Sequence, residues 1–158
     1  MRVAILTISD AGSRGERKDT SGDTIAAWVK AKGYEPAGRA VVPDVAAAIT
    51  AELTTWSDRD RVDVIITTGG TGISERDITP EATESILDQL IPGIPEALRY
   101  TAQSRVPTAI LSRGLAGVRG TTLIVNLPGS PGGVKDGLGV LDTVLDHAVD
   151  ILRGKTEH

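Results

Sequence analysis

Asp77 follows a run of three glycines, Gly69-Gly70-Thr71-Gly72, with Arg76 beside it. Glycines let a backbone approach a ligand closely and take positive φ where a turn demands it. Successive N–H groups in such a loop suit a phosphate or a carboxylate. A carboxylate next to that cradle is a poor neighbour for a bare anion and a natural one for Mg²⁺ accompanying phosphate. The loop lacks the G-x-x-x-x-G-K-[ST] spacing and contains no lysine, and it is not G-x-G-x-x-G either. Phosphate charge would have to be met by amides, Arg76 and a metal. A tight turn whose glycines serve only packing is the plainer alternative.

Other polar groups fall in short clusters: Ser9-Asp10, Pro43-Asp44, Ser112-Arg113, Arg119 and Pro128-Gly129-Ser130. Asp44 reads either as a carboxylate for a metal or as the N-cap of the next helix. Asp77 is open to both roles too, metal ligand or partner of the Thr79-Pro80 turn. Ser9 and Asp10 could bind a ligand or close an Asx-type turn. Arg113 and Arg119 are possible phosphate partners or solvated charges.

Several chemistries are excluded. The chain has no cysteine, which removes disulfides, zinc-thiolate sites and a thiol nucleophile. Its two histidines, His147 and His158, read as surface or tail residues and argue against a Ser-His-Asp site. Seventeen Lys plus Arg against 21 Asp plus Glu leave a net charge of −4, which weighs against nucleic-acid binding. Residues 1–8 read as a strand and not a secretory signal, and no apolar run reaches membrane-spanning length. A cytoplasmic location is the default expectation.

The elements that must position these groups alternate. Residues 3–8, 40–43, 62–66, 108–112 and 121–127 are apolar runs of buried-strand type. Between them lie helical patterns. One opens with Thr20 as cap and Asp23 three residues on, and closes at Lys32-Gly33. A second, capped by Asp44, carries Val45, Ala48, Ile49, Leu53 and Trp56 on one face. A third opens at Thr79 as cap with Pro80 in its first turn, buries Ile86, Leu87 and Leu90, and ends at Pro92-Gly93. Residues 96–104 form a short helix. Ser130 caps a last one with Pro131 behind it, and Val134, Leu138, Leu141, Leu145, Ala148 and Leu152 predict that it runs on as one long amphipathic helix. The polar loop at 9–19 is long for this class.

The alternation predicts a single domain over 1–158: a three-layer, doubly wound α/β fold with a mostly parallel sheet and helices on both faces. Ligands in such folds sit beyond the carboxyl ends of the strands. Five polar segments fall there: Ser9-Asp10, Pro43-Asp44, residues 69–77, Ser112-Arg113 and Gly129-Ser130. One crevice could receive all of them.

Taken together, Thr67-Thr68-Gly69-Gly70-Thr71-Gly72, Arg76-Asp77-Ile78-Thr79-Pro80-Glu81-Ala82, Ser9-Asp10, Asp19-Thr20-Ser21-Gly22, Val42-Pro43-Asp44, residues 111–119 and Leu127-Pro128-Gly129-Ser130-Pro131 resemble the molybdopterin adenylyltransferases of the MogA/MoaB type, related to the amino-terminal domain of gephyrin. The resemblance covers nearly the whole chain. It implies a molybdopterin-binding domain that uses ATP and Mg²⁺ to make adenylylated molybdopterin and pyrophosphate before molybdate insertion. It also implies a homo-oligomer, a trimer with a hexamer as the alternative, and the molybdate-inserting enzyme as a partner. By the resemblance Asp44 and Asp77 are the acidic catalytic pair and hold Mg²⁺, directly or through water. Gly69, Gly70, Thr71 and Gly72, with Pro128, Gly129 and Ser130, are its binding turns, and Ser9, Asp10, Ser112 and Arg113 are added to the substrate set. The alternative is a MoaB-type binding or carrier protein without adenylyl transfer. A CinA-type nucleotide-processing domain and a gephyrin-like scaffold are further rivals, which lack the expected second domain or linker here.

Overall fold

The computed structural model of the chain describes residues 1–155. Its strands are β1 (Arg2–Ile8), β2 (Glu35–Val42), β3 (Val64–Thr68), β4 (Gln89–Leu90), β5 (Ala116–Arg119) and β6 (Thr122–Leu127). Its α-helices are α1 (Asp10–Ser13), α2 (Thr20–Ala31), α3 (Ala46–Thr54), α4 (Thr79–Glu84), α5 (Gly93–Gln103), α6 (Pro131–Leu141) and α7 (Leu145–Leu152). The strands form one sheet in the order β2-β1-β3-β6-β5-β4. The first four are parallel, and β5 and β4 close the edge antiparallel.

Both faces of the sheet are covered, as the near-continuous apolar strands require. Alternate side chains divide between two cores. Val3, Ile5, Val64, Ile66, Leu123 and Val125 meet Ile25 and Val29 of α2, Val134 and Leu138 of α6, and Leu145 and Val149 of α7. Ala4, Leu6, Ile8, Ile65 and Ile124 turn to the opposite face, against Ile49 and Leu53 of α3, Trp56 and Ala82. The expected three layers are therefore present. The chain leaves β1 to pair β2 on one side, then returns to lay β3 on the other. That reversal opens a crevice beyond the carboxyl ends of β1 and β3. Among the described residues no helix is long and apolar enough to cross a membrane.

Three expected elements differ. Residues 108–112 are no strand: Pro107–Leu111 is a 3₁₀ helix, with Ile110 and Leu111 about half exposed. Proline fixes φ and lacks the N–H that a central strand needs. Ser112-Arg113 still reaches the carboxyl edge, because β5 runs antiparallel and starts there, with Ala116 opposite Val125. The helix from Thr79 stops at Glu84 and does not continue to Pro92. Asp88 N–H donates to Val118 O and the chain joins the sheet edge as β4, with Ile86 and Leu87 against the core and Leu90 half exposed. The long helix from Pro131 breaks between Leu141 and Leu145, where Val144 leaves helical geometry at φ −130° and ψ −18°. Asp142, Thr143 and Val144 are weak helix formers. The apolar period survives the break because α6 and α7 bury the same face. At the other margins, β2 starts at Glu35 instead of residue 40, β3 spans Val64–Thr68 instead of 62–66, and the first turn of the long 9–19 loop is α1.

Candidate functional site

Beyond β3 the chain turns sharply. Gly69 and Gly70 take φ of 101° and 66°, the left-handed range that favours glycine. A Cβ at Gly69 would collide with Ile8 O, and one at Gly70 with Thr79 Oγ1. Gly72 is not left-handed. It is small for a different reason: a Cβ there would stand 2.7 Å from Asp77 Oδ2.

Every carbonyl of this loop is drawn back into the protein. Thr79 Oγ1 donates to Gly69 O at 3.0 Å and Thr79 N–H to Gly70 O at 3.1 Å. Arg113 donates its N–H to Thr71 O and its Nε to Gly72 O, both at 2.8 Å. The N–H groups of Gly70, Thr71 and Gly72 have no acceptor among the described residues. The loop is thus a cradle of unspent donors, as an anion requires. These donors come from the loop itself, because residues 73–78 separate it from α4. Thr79 is not that helix's cap: Ile78 holds the N-cap position, with no side-chain bond, and Pro80 lies in the first turn as expected.

Asp10 and Asp44 clasp each other. Asp10 N–H donates to Asp44 Oδ2 at 3.1 Å, and Asp44 N–H to Asp10 Oδ1 at 3.0 Å. Asp44 does not cap α3, whose N-cap position is Val45, without a side-chain bond. Ser9 caps α1, its hydroxyl accepting from Gly12 N–H. Arg76 binds Asp10 Oδ2 at 2.8 Å. That bond, then the Asp44 N–H, hold the Asp10 carboxyl below the ordinary carboxylate range. Asp44 moves the other way. Burial raises its pKa first, and the neighbouring charges of Asp10 and Asp77 add to it. Asp44 Oδ1 has no donor among the described residues and faces Gly70. Asp77 accepts from Ser74 N–H through Oδ2, with Oδ1 likewise unengaged among them. Two carboxylates with spare oxygens, one of them disfavoured in its charged form by burial and then by neighbouring negative charge, fit a hard divalent cation. Mg²⁺ typically takes one or two carboxylates together with substrate phosphates.

The β6 turn closes the other wall. Thr68 Oγ1 donates to Pro128 O and Ser21 Oγ to Gly129 O, each at 2.8 Å. Ser130 caps α6 as expected, its hydroxyl accepting from Gly133 N–H at 3.2 Å. Gly129 approaches Gly69 so closely that a Cβ would lie 3.3 Å from its Cα.

Two cavities of about 550 and 590 Å³ meet at Gly70, Asp77 and Gly129. The first, walled by Leu98, Val106 and Leu111, also receives Thr71, Gly72, Ser112, Pro128 and Ser130. The second receives Ser9, Asp44, Gly69 and Thr68. The candidate residues therefore do converge, with three exceptions. Asp10 stands behind Asp44 and lines neither cavity. Arg113 is spent on the protein: besides its loop contacts it donates to Asp77 O at 2.6 Å and pairs with Glu81. It is a clamp on the loop and not a free phosphate ligand. Arg119, bound to Asp58 and Ile86 O, lies at the opposite edge, beside the start of β6. His147 is exposed and outside the site, and His158 lies outside the described residues.

Sequence reasoning missed Arg17 and Lys18, and it quoted Asp19 and Ser21 only within the Asp19-Thr20-Ser21-Gly22 motif, without a place in the site. Arg17 and Lys18 line the second cavity. Asp19, not Thr20, caps α2 by accepting from Gly22 N–H, and it also accepts from Thr7 Oγ1. The available signal was the adjacent pair of cations immediately before the cap, hidden within a mixed-charge loop.

A protein-family profile described as "Probable molybdopterin binding domain" matches residues 4–147. The chain is 37% identical over 156 residues to a protein of Helicobacter pylori named molybdopterin adenylyltransferase, covering 98% of this chain and 89% of the relative. Among solved structures, the molybdopterin biosynthesis enzyme MoaB of Thermus thermophilus superposes with a TM-score of 0.91 at 47% identity, covering 97% of this chain and 96% of that one. The tungsten cofactor synthesizing protein MoaB of Pyrococcus furiosus gives 0.88 at 32% identity, each chain covered to 96%.

Proposed function

This chain belongs to the molybdopterin-binding domain family of molybdenum cofactor biosynthesis, and from that premise we propose that it transfers AMP from ATP to the terminal phosphate of molybdopterin. An oxygen of the pterin phosphate bonds to the α-phosphorus of ATP. The bond from that phosphorus to the α,β-bridging oxygen breaks, and its electron pair leaves with pyrophosphate. A phosphate monoester is largely dianionic near pH 7, so the nucleophile needs no general base. That no histidine lines either cavity among the described residues is then no obstacle. What the reaction needs is alignment and charge neutralisation.

One observation carries the reading: free loop amides stand where two cavities meet, next to two carboxylates with spare oxygens. Gly70, Thr71 and Gly72 N–H groups would hold phosphate oxygens in place at that junction. Arg113 and Thr79 keep the loop carbonyls turned away, so the cradle presents donors only. Asp10 fixes Asp44 through the reciprocal bonds, and Arg76 steadies Asp10. Mg²⁺ held by Asp44 and Asp77, directly or through water, would neutralise the phosphates between which charge moves. The same reading includes a trimeric assembly, a cytoplasmic site of action and delivery of product to the molybdate-inserting enzyme.

The test combines a product assay with calorimetry. Purified protein with molybdopterin, ATP and Mg²⁺ should form adenylylated molybdopterin, and ATP binding should weaken sharply without the metal, while molybdopterin binding should not. Binding of molybdopterin without product would replace the transferase by a carrier. Strict competition between ATP and molybdopterin would reject two adjoining sites.

A further inference from the structure

The polyphosphate of ATP brings several negative charges to a site already rich in carboxylates, so the positions of unspent cations decide which way the nucleotide lies. The arginines nearest the site are engaged. Arg76 binds Asp10, Arg113 binds Glu81 and two loop carbonyls, and Arg39 binds Asp19 and Asp23. On the far wall Arg99 donates to Ser112 O and Gly114 O, and Arg105 pairs with Asp136. Arg17 and Lys18 differ. Both line the second cavity, together with Asp44 and Gly69, and neither side chain has a hydrogen-bond or ion-pair partner among the described residues. Gly15, at φ 74°, turns the chain just before them, and the cap of α2 fixes it just after, at Asp19. Two adjacent cations are thereby held at the wall of a cavity that also contains Asp44, with Asp77 at its junction with the neighbouring cavity.

We infer that Arg17 and Lys18 hold the β- and γ-phosphates of the nucleotide and then the pyrophosphate that these become. This rests on the adenylyl-transfer reading for the identity of the nucleotide, and adds to it a polarity. The α-phosphate lies at the junction by Gly70 and Asp77, and the leaving group extends into the second cavity. As the bridging bond breaks, negative charge accumulates on the departing oxygen. Cations at the outer phosphates neutralise that charge, which would otherwise build up in the cavity that Asp44 also lines.

The direct test is calorimetry with three probes, each with Mg²⁺: ATP, inorganic pyrophosphate and AMP. The double variant R17A/K18A should bind ATP and pyrophosphate about tenfold more weakly, on the scale of lost charge-assisted contacts at an exposed site. AMP, which lacks both outer phosphates, should change less than about twofold by the same reasoning. R59A/K155A, which removes the same charge away from the two cavities, should match the parent for all three. In turnover the KM for ATP should rise and that for molybdopterin should hold. Unchanged pyrophosphate affinity in R17A/K18A, an equal loss for AMP and ATP, or a parent that does not bind pyrophosphate would each overturn the clamp. A parent that binds pyrophosphate through these residues yet yields no adenylylated pterin would reject the transfer reading and leave the clamp standing.

Discussion

At the scale of single residues, Asp44 sets function against stability. Its folded pKa lies above the ordinary 3.8, through burial and then the charges of Asp10 and Asp77. The folded state therefore holds this proton more tightly than the unfolded chain does, and stability declines as pH rises from 3.8 through the folded value. Asp44→Asn should melt higher than the parent at pH 7, with the gap closing as the pH falls below 3.8. Its adenylylation rate should nevertheless drop by about two orders of magnitude or more, as expected when a metal ligand is lost. Asn can still accept from Asp10 N–H, so the variant removes charge and keeps the clasp. A lower melting point at pH 7, or full turnover, would contradict this account. The glycines separate in a similar way. Gly70→Ala places a side chain in the left-handed region against Thr79, at a cost of about 1–2 kcal/mol measurable by denaturant titration. Gly72→Ala should cost less and act mainly by pushing Asp77 aside, visible as a changed Mg²⁺ requirement. At this scale the sequence was readable for identity and not for partnership. Asp44 and Asp77 stood out by their position after strands. That Asp44 clasps Asp10, or that Arg113 is consumed by carbonyls, depends on contacts between residues more than 30 positions apart, as their separations of 34 and 41 show.

Arg113 shows what an element-level connection does. Its guanidinium joins Gly72 O, Asp77 O and Glu81, and its backbone N–H holds Thr71 O, so one residue just beyond the 3₁₀ segment anchors both ends of the stretch 71–77. Arg113→Lys keeps the charge and loses the planar fork. The variant should fold normally and exchange the amides of residues 74–77 faster with deuterium, with a raised KM for ATP. Unchanged exchange would mean that the fork does not hold the loop. Strand-helix alternation and the two core faces were legible because they rest on local periodicity. The 3₁₀ helix at Pro107–Leu111 was not, since a short apolar run looks the same whether its side chains meet a core or stand at a surface. The break before Leu145 was hidden for the opposite reason, because burial on one face is preserved across it.

For the molecule as a whole, large apolar side chains remain exposed along α5 and the 3₁₀ segment: Tyr100, 81% exposed, with Val106, Ile110 and Leu111 at about half. A trimer would give such surface a place to be covered. Sedimentation should return three times the chain mass, and Tyr100→Glu combined with Ile110→Glu should return one. A parent that sediments as a single chain at micromolar concentration would remove the assembly from the proposal. The meeting of two cavities at Gly70, Asp77 and Gly129 reaches further than the chemistry. Before reaction two molecules occupy adjoining spaces, and each can leave alone. Afterwards a single covalent molecule occupies both, and its two halves hold each other in place by effective concentration. Its residence time should exceed that of either substrate, so the first turnover should appear as a burst and the later ones should be limited by departure. A nucleotide-activated pterin is exposed to hydrolysis in water, and such retention would keep it sheltered until the next catalyst arrives to collect it.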